Sequence, residues 1–201
     1  MLERLRGVSG DTLDHAAYHE DFTKESDGLS GVVWKLERAQ TFRESGDAGW
    51  EAFGSGHWDR PLGILDAERE AIRADAQRNA ERGLEIRRVR VVESPVSPYL
   101  QWEMRALRML AEEGFGLRVL DASRVGELER VQQLPEIVVI GDRVLYEVRY
   151  DAQWTPIGAR RIHDPDVIQE ARREVADLYD AGEPLIEFFR REISPLPVPT
   201  P

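Results

Sequence analysis

The run Arg88-Val89-Arg90-Val91-Val92-Glu93-Ser94-Pro95-Val96-Ser97-Pro98 leaves this chain few choices of fold. Side chains two apart on a strand share a face, so Arg88 and Arg90 point one way while Val89 and Val91 point the other. Ser97 fits the N-cap of a following helix, and Pro98 fits its first position, where a missing N–H costs nothing. The pattern predicts a strand from Glu85 to Val92, a helix from Pro98 to Glu113 and a strand from Gly116 to Leu120. A helix-length connection is what two parallel strands require. Two further apolar runs, 136–140 and 143–150, meet at Gly141-Asp142, which has the composition of a tight hairpin turn. The expected core is therefore a mixed sheet of the α/β or α+β class, a strand-helix-strand-hairpin unit with flanking helices. It should contain the segments around Arg90, Val119, Val138 and Val148, because a one-residue register slip would expose the valines.

Around this unit, Asp11 to Glu25 reads as a helix turning Leu13, Ala17, Tyr18 and Phe22 toward a partner surface, and Val32 to Glu37 as a strand. Trp50, Phe53 and Trp58 lie among glycines and read as a short helix ending in a loop. The strongest helical periodicity, Ile64 to Arg82, stops at Gly83. Trp154 to Arg161 adds a strand that Pro156 should confine to an edge. A helix over 165–179, capped by Asp164 or His163, precedes a further turn over 184–191 and a tail of alternating prolines. These signals divide the chain into an N-terminal helical arm (1–27), an α/β domain (28–192) and a flexible proline-rich tail (193–201). Neither the residues before Asp11 nor those after Ile193 carry core periodicity, so neither is expected to add to the core.

Without cysteine, disulfides, thiolate metal sites and cysteine nucleophiles are excluded. The net charge of −11 opposes broad nucleic-acid binding, which needs an excess of Lys and Arg. No apolar run has the length of a membrane span, and the first residues lack the apolar core of a signal peptide, so the expectation is a cytoplasmic protein with no membrane partner. Lys24 and Lys35 are the sole lysines. Nearly all positive charge is thus guanidinium, whose planar fork suits carboxylate and phosphate.

Arg88 and Arg90, on a strand running into a helix N-terminus, fit a phosphate or carboxylate site completed by Ser97, with Tyr99 and Glu103 one turn apart as donor and proton-transfer group. The same residues fit a structural network in which the arginines pair with Glu37, Glu85 or Glu103. His15 and His19 are four apart, a possible metal edge, but two ligands do not make a site. His57 and His163 are isolated. No phosphate loop or nucleophile elbow is present, and no metal or cofactor is expected.

Trp34 to Glu37, Arg88 to Val92, Ser94 to Glu103 and Tyr146 to Asp151 together resemble, in order and spacing, an uncharacterised actinobacterial domain family whose genes are often found near small helix-turn-helix regulators. The resemblance spans about Phe22 to Phe189 and makes such a regulator a candidate protein partner. Family members open the hairpin with Asp-Phe-Trp and an acidic turn; here the stretch is Pro135 to Asp142, and only Asp142 keeps the acidic turn. They also tend to place Gly-Glu after the helix that starts near Tyr99, where this chain has Glu112-Glu113-Gly114-Phe115. The element order is also distantly similar to phospholipase D-like halves. Those carry a His-x-Lys pair before the final strands, whereas Pro135 and Ile137 stand in the corresponding places here. The expectation is a regulatory or interaction protein that binds a partner protein or a small anionic ligand at the cleft of Arg88, Arg90, Ser97, Tyr99 and Glu103. The alternative is an enzyme or toxin acting on a nucleotide or phosphoester.

Overall fold

A computed structural model describes residues 2–44, 46–55 and 59–197. In chain order its strands are β1 (Asp11–Asp14), β2 (Gly31–Glu37), β3 (Leu84–Val92), β4 (Gly116–Asp121), β5 (Ile137–Ile140), β6 (Val144–Tyr150), β7 (Pro156–Ile162) and β8 (Glu183–Pro184). The helices are α1 (His15–Ser26), α2 (Ala48–Gly54), α3 (Asp59–Glu81), α4 (Pro98–Glu112), α5 (Pro165–Ala181) and α6 (Leu185–Phe188). All eight strands join one mixed sheet in the order β1-β7-β6-β5-β2-β3-β4-β8. Neighbours β2, β3 and β4 are parallel, with Lys35 beside Arg88 and Glu37 beside Arg90, and every other pairing is antiparallel. The expected α/β fold with its strand-helix-strand-hairpin core is present.

Strict alternation sorts the strands onto two faces. On one, Trp34, Leu36, Val89, Val91, Ile137 and Val139 pack under Ile168, Ala171 and Val175 of α5. The other is covered in two parts. Leu100, Met104 and Leu107 of α4 lie over Leu117, Val119 and Val92, while Tyr18 and Phe22 of α1 lie over Val138, Val144 and Tyr146. Between the two helices the sheet face carries Lys35, Glu37, Arg88 and Arg90, with Val138 and Val148 beside them.

Three expectations are corrected. The helix expected from Asp11 begins at His15, because residues 11–14 pair with 158–161 of β7 and the Asp14 side chain accepts from Ala17 N at 2.9 Å as the N-cap. Gly158 admits this strand: a Cβ there would sit 2.1 Å from the Leu13 carbonyl oxygen. The residues before Asp11 do join the core, since Leu2 and Leu5 of a 3-10 turn (Leu2–Gly7) are fully buried on the α5 face. Strand β7 is interior, between β6 and β1; Pro156 is accommodated at its first position, outside the β1 register. At the other terminus Ile193 is fully buried beside Phe188 and Phe189. Of the remaining expectations, Asp164 caps α5. His57, Trp58 and the last prolines lie outside the described residues, as do the side chains of Ile64 and Leu65.

Candidate functional site

Alternation places Lys35 and Glu37 of β2 and Arg88 and Arg90 of β3 side by side on the face between α1 and α4. The α4 helix is fixed over them at its N-terminus: Ser97 Oγ accepts from Leu100 N at 3.1 Å and donates to the Gln40 carbonyl at 2.9 Å. Gln40 in turn ties the ends of β2 and β3 together, donating to the Arg38 and Val91 carbonyls and accepting from Glu93 N. The result is a cleft of about 740 Å³ with strand residues as its floor and α1 and α4 as walls.

The two arginines have separate fates. Arg90 is completely buried; its Nε donates to Glu103 Oε2 at 2.9 Å, its Nη1 to the carbonyls of Glu37 and Val91, and its guanidinium lies 5.5 Å from the centre of the Phe42 ring. Burial disfavours its charge, but Glu103 and Glu37 more than compensate, so it stays protonated. Arg88 lines the cleft, and its Nη1 lies 3.4 Å from Glu37 Oε2, while Lys35 Nζ lies 3.4 Å from Glu37 Oε1. Both distances exceed those of a good charge-assisted hydrogen bond. Two cations therefore share one carboxylate loosely and keep donors available to the cleft.

Surroundings push the carboxyls apart. Burial works against the Glu37 carboxylate, yet the attraction of Arg88, Lys35 and Arg90 outweighs it and holds the pKa at about 2. Arg88 and then burial lower that of Lys35. For Glu103 burial dominates and raises the pKa despite Arg90. Glu136, just before β5, is raised to about 7 by burial, although its Oε1 accepts from Arg38 N at 2.8 Å and Ala39 N at 2.6 Å.

Of the five residues expected at the site, Arg88 and Glu103 line the cleft. Arg90 and Ser97 hold its frame, and Tyr99, buried, donates to Glu44 Oε1 at 3.0 Å. Lys35, Glu44 and Glu136 also line the cleft, beyond the residues expected there, and Glu37, expected as an arginine partner, lines it too. Lys35 and Glu37 were accessible from the same alternation, once β2 is paired in parallel with β3. His15 and His19 stand at the cleft with their Nε2 atoms 3.2 Å apart. Among the described residues, no group of three or more His, Asp or Glu is placed to hold a metal ion.

Chemically, the arrangement offers two cationic donors for an oxyanion, a carboxylate fixed between them, and a nearby carboxyl that retains its proton more readily than an ordinary glutamate. No helix among the described residues is long and apolar enough to cross a membrane. A comparison with curated proteins finds no match. Residues 20–190 match a family described as a domain of unknown function (DUF6879), and by that match, which spans the sheet from β2 to β8 and the α4 wall of the cleft but not His15, Tyr18 and His19 on its α1 wall, the chain belongs to that family.

Proposed function

We propose that this protein binds a small anionic ligand in the cleft above Lys35 and Arg88, acting as a cytoplasmic regulatory or interaction module. The observation that carries this reading is the loose sharing of Glu37 by two cations at 3.4 Å each. A guanidinium and an ammonium so placed gain hydrogen bonds when an oxyanion enters, and the three charges leave a net positive centre to receive it. A cleft of this size suits a small molecule better than a protein element. A protein partner such as a helix-turn-helix regulator would then respond to the ligand-bound form.

Titration calorimetry against phosphate, acetate and nucleoside monophosphates tests the reading. Arg88→Ala should weaken binding of whichever anion is taken up by about 1.5–3 kcal/mol, and Arg88→Lys should restore only part of it. Arg90→Ala should instead lower stability, since it leaves Glu103 buried and unpaired. Unchanged binding in Arg88→Ala would refute the site.

One observation favours the enzyme reading: Glu37 and Glu103 share a cleft with pKa values displaced in opposite directions, the pattern that separates a proton donor from an anionic partner. Under that reading Arg88 and Lys35 hold a phosphoester, water adds to its phosphorus, and Glu103 gives a proton to the oxygen that leaves. Turnover of nucleotides or phosphoesters that Glu103→Gln abolishes, with binding retained, would establish it.

A further inference from the structure

The cleft changes character along α4. Glu103 lies near its charged floor, but one turn on, the same helical stripe continues as Ala106, Leu107 and Leu110, all lining the cleft. Across from them stand Val138 and Val148 of the sheet, which also line it. Ala106 and Leu110 remain only half-buried, although they lie on the stripe that faces the protein. A bare oxyanion seated on Lys35 and Arg88 would leave most of the roughly 740 Å³ empty, and such pockets normally bury the greater part of an organic ligand. The charge at the floor is small, two cations against Glu37. The other acids along the cleft have partners of their own: Glu103 pairs with Arg90, Glu136 Oε1 accepts from Arg38 N and Ala39 N, Glu44 accepts from Tyr99, and Asp47 Oδ1 accepts from Trp50 N as the cap of α2.

We propose that the ligand is an amphiphilic anion: a carboxylate or phosphate monoester head on Lys35 and Arg88, carrying an acyl or aryl body that lies along Ala106, Leu110 and Val148. This rests on the anion-binding reading of the same cleft. The head replaces the loose 3.4 Å contacts with charge-assisted hydrogen bonds, and the body covers the apolar stripe that α1 and α4 leave open between them.

The experiment is calorimetric titration of the full chain with butanoate, hexanoate and octanoate, then octyl phosphate and neutral octanol. Affinity should rise roughly three- to four-fold per methylene until the cleft is full, the factor expected for burying a CH₂ group. Octanol should bind at least ten-fold more weakly than octanoate, and Arg88→Ala should remove most of that difference. Whichever of octanoate and octyl phosphate binds more tightly identifies the head, and either result supports the proposal. Ala106→Trp should abolish the gain with chain length by filling the apolar half, and Leu110→Ser, a milder change, should reduce it. Equal affinity for the three carboxylates, or an undiminished gain in both variants, would overturn the amphiphile while leaving the anion site intact. Octanol binding as tightly as octanoate would overturn the anion site. The absence of binding by all five compounds would overturn both.

Discussion

Glu37 and Glu136 are the same side chain a short distance apart, and their surroundings drive them in opposite directions. Glu37 sits among three cations, while Glu136 is enclosed before β5 with two backbone N–H groups on one oxygen and no hydrogen-bond partner on the other. The pH consequences have opposite signs. Because Glu136 is raised from 4.5 to about 7, between those values the native state keeps a proton that the unfolded chain has released, so its contribution falls as pH rises. The full change is on the order of 3 kcal/mol at 1.36 kcal/mol per pKa unit. Glu37 acts in a separate acid window: its contribution is present above the ordinary glutamate value and is lost as pH falls toward about 2. Urea unfolding at pH 5 and pH 8 should show Glu136→Gln gaining on the parent protein as pH rises, since glutamine keeps the acceptor without the charge. Parallel pH dependences in the two proteins would rule this out. Little of this was legible beforehand. The alternation of Arg88 and Arg90 was plain, but a sequence does not show that Arg90 would be sealed beneath Phe42 while Arg88 stays at the cleft, because that depends on where the loop after β2 crosses.

Elements with long periodic signals were readable, and those held by distant partners were not. Ser97-Pro98 fixes the start of α4 and Gly141 the hairpin turn, since each acts on its own neighbours in the chain. The four residues of β1 and the 3-10 turn before it are too short to show a period. Their anchor is Arg160, far along the chain, which pairs with Glu147 at 2.8 Å and donates to the carbonyls of Leu5, Arg6 and Val8. Leu2 N also reaches Glu174 of α5 at 2.9 Å. The turn is thus part of the core, and Leu5→Ala should cost about 2–5 kcal/mol, the range for a buried leucine. Denaturant titration checks this. A loss under about 0.5 kcal/mol, typical of surface substitutions, would show that the turn detaches without consequence.

At the scale of the whole molecule, one continuous sheet carries separate cores on its two faces. The strands shared by both, β2 and β3, couple them, because each presents apolar side chains to α5 on one side and charged ones to the cleft on the other. The layered class follows from the β-α-β spacing and the hairpin. The joining of the parallel half to the antiparallel half through β2 and β5 is a long-range pairing that no local pattern encodes. Since the cleft lies at that seam, its walls come from segments remote in sequence. Such coupling predicts that the two faces unfold together as one unit. Trp34 reports on the α5 face, where it packs edge-on to Tyr179 at 5.6 Å, and Trp102 reports on the α4 face, where it packs against Trp50 at 5.6 Å. Variants retaining either Trp34 or Trp102, with the other tryptophans changed to phenylalanine, should show fluorescence transitions that coincide with the loss of far-ultraviolet circular dichroism in the same variant. If the Trp34 signal instead departs from that curve in its own transition while the Trp102 signal follows it, the faces unfold separately. The sheet would then be two cooperative units meeting at β2, with the ligand cleft on their boundary.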